Sequence, residues 1–80
     1  MSGATDFTVF GMYVDRKRIL LGWSEADVAR ACNVTLDDIR LAIAGRRIGH
    51  EAMLALCEWL GRAPAFFDLT TDGLRMEAAR

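Results

Sequence analysis

The stretch from Trp23 to Arg47, WSEADVARACNVTLDDIRLAIAGRR, constrains the fold more than any other part of the chain. It carries two helix-start signatures with an asparagine between them. Ser24 is a good N-cap, and Asp27 three residues on completes the S-x-x-D form of a capping box. Val28, Ala29 and Cys32 then give an apolar face at helical spacing. Asn33 follows, one of the few residue types that accept a left-handed backbone cheaply. Val34 plugs the corner, and Thr35 repeats the cap with Asp38 three residues later. Ile39, Ala42 and Ile43 form the buried stripe of the second helix, and Gly45 ends it. Two capped helices of about eight to ten residues, joined by a turn of about three or four, predict a helix-turn-helix.

The rest of the chain supplies what such a unit packs against. Residues 1–6 read as a flexible leader, with Thr5 or Asp6 able to cap a first helix that runs to about Leu21. Phe10, Val14 and Leu21 share one face of it, with Tyr13 and the stem of Lys17 beside them. Gly11 costs this helix about 1 kcal/mol relative to alanine and marks a close approach. Gly22 stops the helix, and Trp23 is expected in the core between the first two helices. Beyond the Arg46-Arg47-Ile48-Gly49 loop, a fourth helix runs to about Leu60. Its Met53, Leu54, Leu56, Cys57 and Leu60 form a wide apolar stripe, from which Trp59 departs. Gly61 ends it. Pro64 suits the first turn of a fifth helix, Ala65 to about Leu69, carrying Phe66 and Phe67. The last eleven residues, 70–80, read as a turn and a frayed tail. The expected fold class is therefore all-α, a compact five-helix domain over residues 7–69. Its core is built on Phe10, Val14, Trp23, Val28, Ile39, Leu54, Leu56, Leu60 and Phe66.

Composition narrows the function. Eighty residues make one small domain, and a hydrophobic content of 52% supplies a core despite the size. The net charge of −1 and a pI near 5.7 run against the basic balance usual in small DNA-binding domains. The charge is uneven. Asp15 to Arg47 holds seven basic residues against five acidic, and from Ile48 onward five acidic residues face three basic. No apolar run reaches the length of a membrane span. Cys32 and Cys57 fall on apolar helix faces and read as small buried hydrophobes in a reducing cytoplasm. One histidine, His50, and no Cys-x-x-Cys argue against a metal site, and no cofactor signature is present. No nucleophile–base pair or phosphate loop points to an enzyme.

The series Gly22-Trp23-Ser24, Val28-Ala29, Val34-Thr35, Ile39, Gly45-Arg46-Arg47, Leu54, Leu56, Leu60-Gly61 and Pro64 resembles the Cro/C1 type of helix-turn-helix domain, that of lambdoid phage repressors and XRE-like regulators. The resemblance covers roughly Phe10 to Phe67. Gly49 departs from it, standing where the family usually has a serine cap. The resemblance implies a homodimer bound to operator DNA, the second motif helix in the major groove and its N-terminal residues reading bases. The reading positions fall on Glu25, Leu36, Asp37 and Leu41, none of them the amide the phage repressors use. Thr35, Arg40, Arg46, Arg47 and the Arg16-Lys17-Arg18 run, Arg18 above all, are the remaining candidate DNA contacts. Arginine reads guanine bidentately and clamps phosphate.

A second reading stands beside the first. Glu25, Asp37 and Asp38 repel phosphates, although carboxylates in a first turn complement the helix dipole, each by about 0.3–1 kcal/mol. Leu36, Leu41 and Trp59, with Ile19 and Leu20, form an exposed apolar patch for a protein partner. Alternatively, with the helix phase shifted by one position, some of them belong to the core. The chain is then a protein-binding module on the same fold, an antiactivator or an adaptor.

Overall fold

A computed structural model describes residues 5–69, in which the chain forms four α-helices and one 3-10 turn. The helices are α1 (Phe7–Leu21), α2 (Glu25–Cys32), α3 (Leu36–Ile43) and α4 (His50–Leu60), and the 3-10 turn spans Pro64–Phe67. No strand occurs among the described residues. An isolated antiparallel bridge joins Thr5 to Asp68. Among the described residues no helix is long and apolar enough to cross a membrane.

Local chemistry sets the helix ends. The Asp6 carboxylate accepts the Val9 N–H at 3.1 Å and starts α1. Gly22 then turns left-handed at φ 72° and closes it. Both halves of a capping box are present at Ser24–Asp27 and again at Thr35–Asp38. Between the two helices Asn33 sits at φ 58°, the left-handed turn expected of it. At the start of α4, Gly49 offers no side-chain cap.

The backbones of α1 and α3 touch at Gly11. A Cβ there would lie 2.0 Å from the Ala42 carbonyl oxygen, so the helix trades propensity for proximity. Around this contact Phe10, Val14, Val28, Ile39, Ala42, Met53, Leu56 and Cys57 close the core.

Several expectations are corrected. The fifth element is a single 3-10 turn, and Leu69 lies outside it, exposed. The Phe67 carbonyl accepts the Asp6 N–H at 2.7 Å and is not available to continue a helix. The same bond, with the Thr5–Asp68 bridge, ties Thr5 and Asp6 into the fold, so the leader contributes its last two residues. Phe67, 2% exposed, fills the core position expected of Phe66, which is 48% exposed. Phe67 packs edge-to-face on Phe10 and Tyr13, with ring centres 5.1 and 5.3 Å apart. Leu54 is exposed, as is Leu21 at the very end of α1. Trp23 and Leu60 are half-buried against the core. The tail expected over residues 70–80 lies outside the described residues.

Candidate nucleic-acid interface

The second helix of the motif is held from beneath by Ile39 and Ala42, both fully buried. Its helical period turns Asp37, Arg40 and Ala44 outward, and all three are exposed. Leu36 and Leu41, expected on that outer surface, are half-buried, and Leu41 packs against the core.

The two neighbouring aspartates have different surroundings. Asp38 accepts the Thr35 N–H, while the Thr35 hydroxyl accepts the Asp38 N–H at 3.0 Å. Asp38 and Thr35 are therefore occupied in starting the helix. The exposed Asp37 carboxylate has no hydrogen-bond or ion-pair partner among the described residues. A parallel box starts α2, where Asp27 accepts the Ser24 N–H at 2.8 Å. That bond, the Ser24 hydroxyl and the nearby Arg30 guanidinium hold the Asp27 carboxyl below the usual aspartate range.

The candidate cations divide in the same way. Arg40 pairs with Glu25 across the α2–α3 groove, Nε to Oε1 at 3.4 Å, with 63% of the arginine side chain exposed. Such a pair is worth about 0.2–1 kcal/mol and opens readily. Arg18 is differently placed. It donates to Asp15 at 3.0 and 2.8 Å and to the Trp23 carbonyl oxygen at 3.0 Å, with only 23% of its side chain exposed. It locks the end of α1 to the turn that follows. Lys17 donates to the Trp59 carbonyl oxygen and lies over the Trp59 ring. Of the basic run, only Arg16 is exposed. Arg46 and Arg47 follow Gly45, which is left-handed at φ 79°, and both are exposed without an ion pair among the described residues.

Trp59 stacks on Trp23 at 6.1 Å and 26°, and so belongs to the packing of α4 against the turn between α1 and α2. The exposed apolar surface lies elsewhere, on the outer side of α1. Ile19 and Leu20, apolar already in the sequence, are joined there by Met12. The signal for Met12 was present in its spacing of seven and eight residues from Ile19 and Leu20.

An open cleft between the starts of α3 and α4 is lined by Asn33, Thr35, Asp38, His50 and Glu51. No group of three or more potential metal ligands occurs among the described residues. Burial raises both thiol pKa values, Cys57 from within the core and Cys32 despite the opposing pull of Lys17. Comparison with protein-family models, curated proteins and solved structures finds no match.

Proposed function

We propose that the chain is a small transcriptional regulator of the Cro/C1 helix-turn-helix type, binding operator DNA as a homodimer through α3. The observation that carries this reading is the α2–α3 pair. Both helices start on capping boxes, a left-handed Asn33 sets the turn between them, and Asp37 and Arg40 face outward ahead of the exposed Arg46-Arg47 pair.

In this reading Arg46 and Arg47 clamp phosphates. Arg40 leaves its weak pair with Glu25 to read a base edge, guanine being its best partner. Asp37 is the only α3 carboxylate not engaged in a cap, and cytosine N4 is the donor it accepts from. Arg18 supports the motif from within and makes no DNA contact of its own.

One observation favours a protein partner instead. The outward face of α3 presents an unpaired Asp37 and a neutralised Arg40, a poor match to a phosphate backbone. On that reading the chain is an adaptor or antiactivator meeting a basic surface.

A salt-series DNA titration separates the two. The wild type should bind duplex DNA, with Arg46→Ala and Arg47→Ala each flattening the salt slope by about one unit. Arg40→Ala should relax preference at one base pair. Asp37→Asn should tighten non-specific binding at low salt without disturbing the Asp38 cap. A wild type that fails to bind any duplex at about 50 mM salt, where phosphate contacts are strongest, sinks the DNA reading.

A further inference from the structure

We infer that the outer face of α1 is a self-complementary surface that binds a second copy of this chain. Met12, Ile19 and Leu20 are 63%, 60% and 75% exposed. At 100° per residue they fall on one side of the helix with Asp15 and Arg16 between them, opposite the buried Phe10 and Val14. Three large exposed apolar side chains on one helix face form the kind of patch that marks a contact.

The order of the residues selects the occupant. When two copies of α1 pack antiparallel about a two-fold axis near Asp15 and Arg16, Met12 of each meets Ile19 and Leu20 of the other. In the same register Asp15 of each copy faces Arg16 of the other, giving two reciprocal ion pairs flanked by two apolar contacts. An isologous interface requires this reciprocity, each residue meeting the counterpart of its own partner. The groups are available for it. Arg18 uses only Oδ1 of Asp15, leaving Oδ2 for a further donor. Arg16 is exposed and has no ion pair among the described residues. Arg62, at the rim, lies over the Phe66 ring, 4.7 Å from its centre. A single helix pair from an α1 of 15 residues falls below the roughly 1,200 Å² of a standard interface. The dimer is therefore a weak one, in the micromolar range. This surface is separate from α3 and deepens the homodimer part of the proposed function, on which it rests; its test contains no DNA, so its failure is read apart from that of the DNA titration.

Sedimentation equilibrium of the full chain, from about 5 to about 500 µM, spans the affinity expected for such an interface. The wild type should pass from monomer to dimer across this range. Leu20→Glu and Arg16→Glu, the latter opposing carboxylates across the axis, should each raise the dimer Kd by at least about tenfold. Leu54→Glu, at an exposed leucine on α4, should leave it unchanged. Circular dichroism checks that each variant keeps its helices, and Ile19→Gln replaces Leu20→Glu if that chain unfolds. A wild type that stays monomeric at the top of the range overturns the inference. So does a dimer that survives both α1 substitutions, or one that Leu54→Glu disrupts. If the wild type is monomeric but a chain ending at Leu69 dimerises, the face belongs to the chain's own last residues, and the second copy is equally ruled out as its natural occupant.

Discussion

Helices α3 and α4 are both short and both close on the same core, yet they are specified in different ways. The first begins with a reciprocal capping box, buries Ile39 and Ala42, and leaves Asp37 and Arg40 to solvent. The second begins at Gly49 with no side-chain cap and is apolar on more than one side. Met53, Leu56 and Cys57 are buried, and Leu54 is 41% exposed. In α3 the cap and the polar residues fix both the start and the rotation. In α4 the burial of its inner stripe does most of that, and the local signals contribute little. Apolar content gives a helix its adhesion, whereas polar residues at definite positions give it an address.

The largest expected effect tests the stripe assignments directly. Ile39→Ala should cost about 2–5 kcal/mol, because the side chain is fully buried and its loss leaves a cavity in the core. For a domain whose total stability is about 5 kcal/mol, that approaches unfolding at room temperature. Leu54→Ala, in contrast, should cost no more than about 1 kcal/mol, since 41% of the residue is already exposed. Denaturant midpoints on the two variants decide it. Equal losses would mean that Leu54 faces the core and that α4 is rotated about its axis.

Next in size is the cap. Thr35→Ala removes the hydroxyl that accepts the Asp38 N–H and leaves the Asp38 half of the box without its counterpart. The expected cost is about 1 kcal/mol. In a domain of this size that is a fall in Tm of roughly 4–8 °C. An unchanged Tm would show that packing alone starts α3, and would erase the contrast with α4.

The same contrast explains what was legible in the sequence. The motif was readable because Ser24, Asp27, Asn33, Thr35 and Asp38 each act through neighbours a few residues away, and Gly11 announced its close contact by being costly in a helix. Phe66 and Phe67 were not separable, because adjacent aromatics carry no phase. The choice between them is made by the Asp6–Phe67 backbone bond, which joins residues at opposite ends of the described chain. Leu54 reads as core from its spacing but is exposed, because α4 offers more apolar positions than the core has room for. Among the candidate site residues, which came from the family resemblance, Asp37, Arg40, Arg46 and Arg47 are exposed. The commitment of Arg18 to Asp15 and Trp23 depends on side-chain reach across a turn, which no periodicity encodes.

The smallest expected effect runs in the opposite direction and sharpens the comparison most. Gly49 occupies the N-cap of α4 with φ −63° and ψ 157°, an extended conformation open to any residue. A Cβ at this position meets nothing within 4 Å. Serine therefore fits without strain, and its hydroxyl supplies an acceptor for an N–H of the first turn that no side chain now satisfies. Replacing glycine by a good N-cap gains only a few tenths of a kcal/mol, because glycine is itself a tolerable cap. Loss of glycine's freedom in the unfolded chain adds to the gain in the same direction. Gly49→Ser should thus raise Tm by about 1–3 °C. The paired measurement with Thr35→Ala then gives the worth of one side-chain cap at two helices, added at one and removed at the other. If Gly49→Ser lowers Tm, the open start of α4 is required by something else at that end of the helix. The cleft beside Thr35 and Asp38 would be the first place to look.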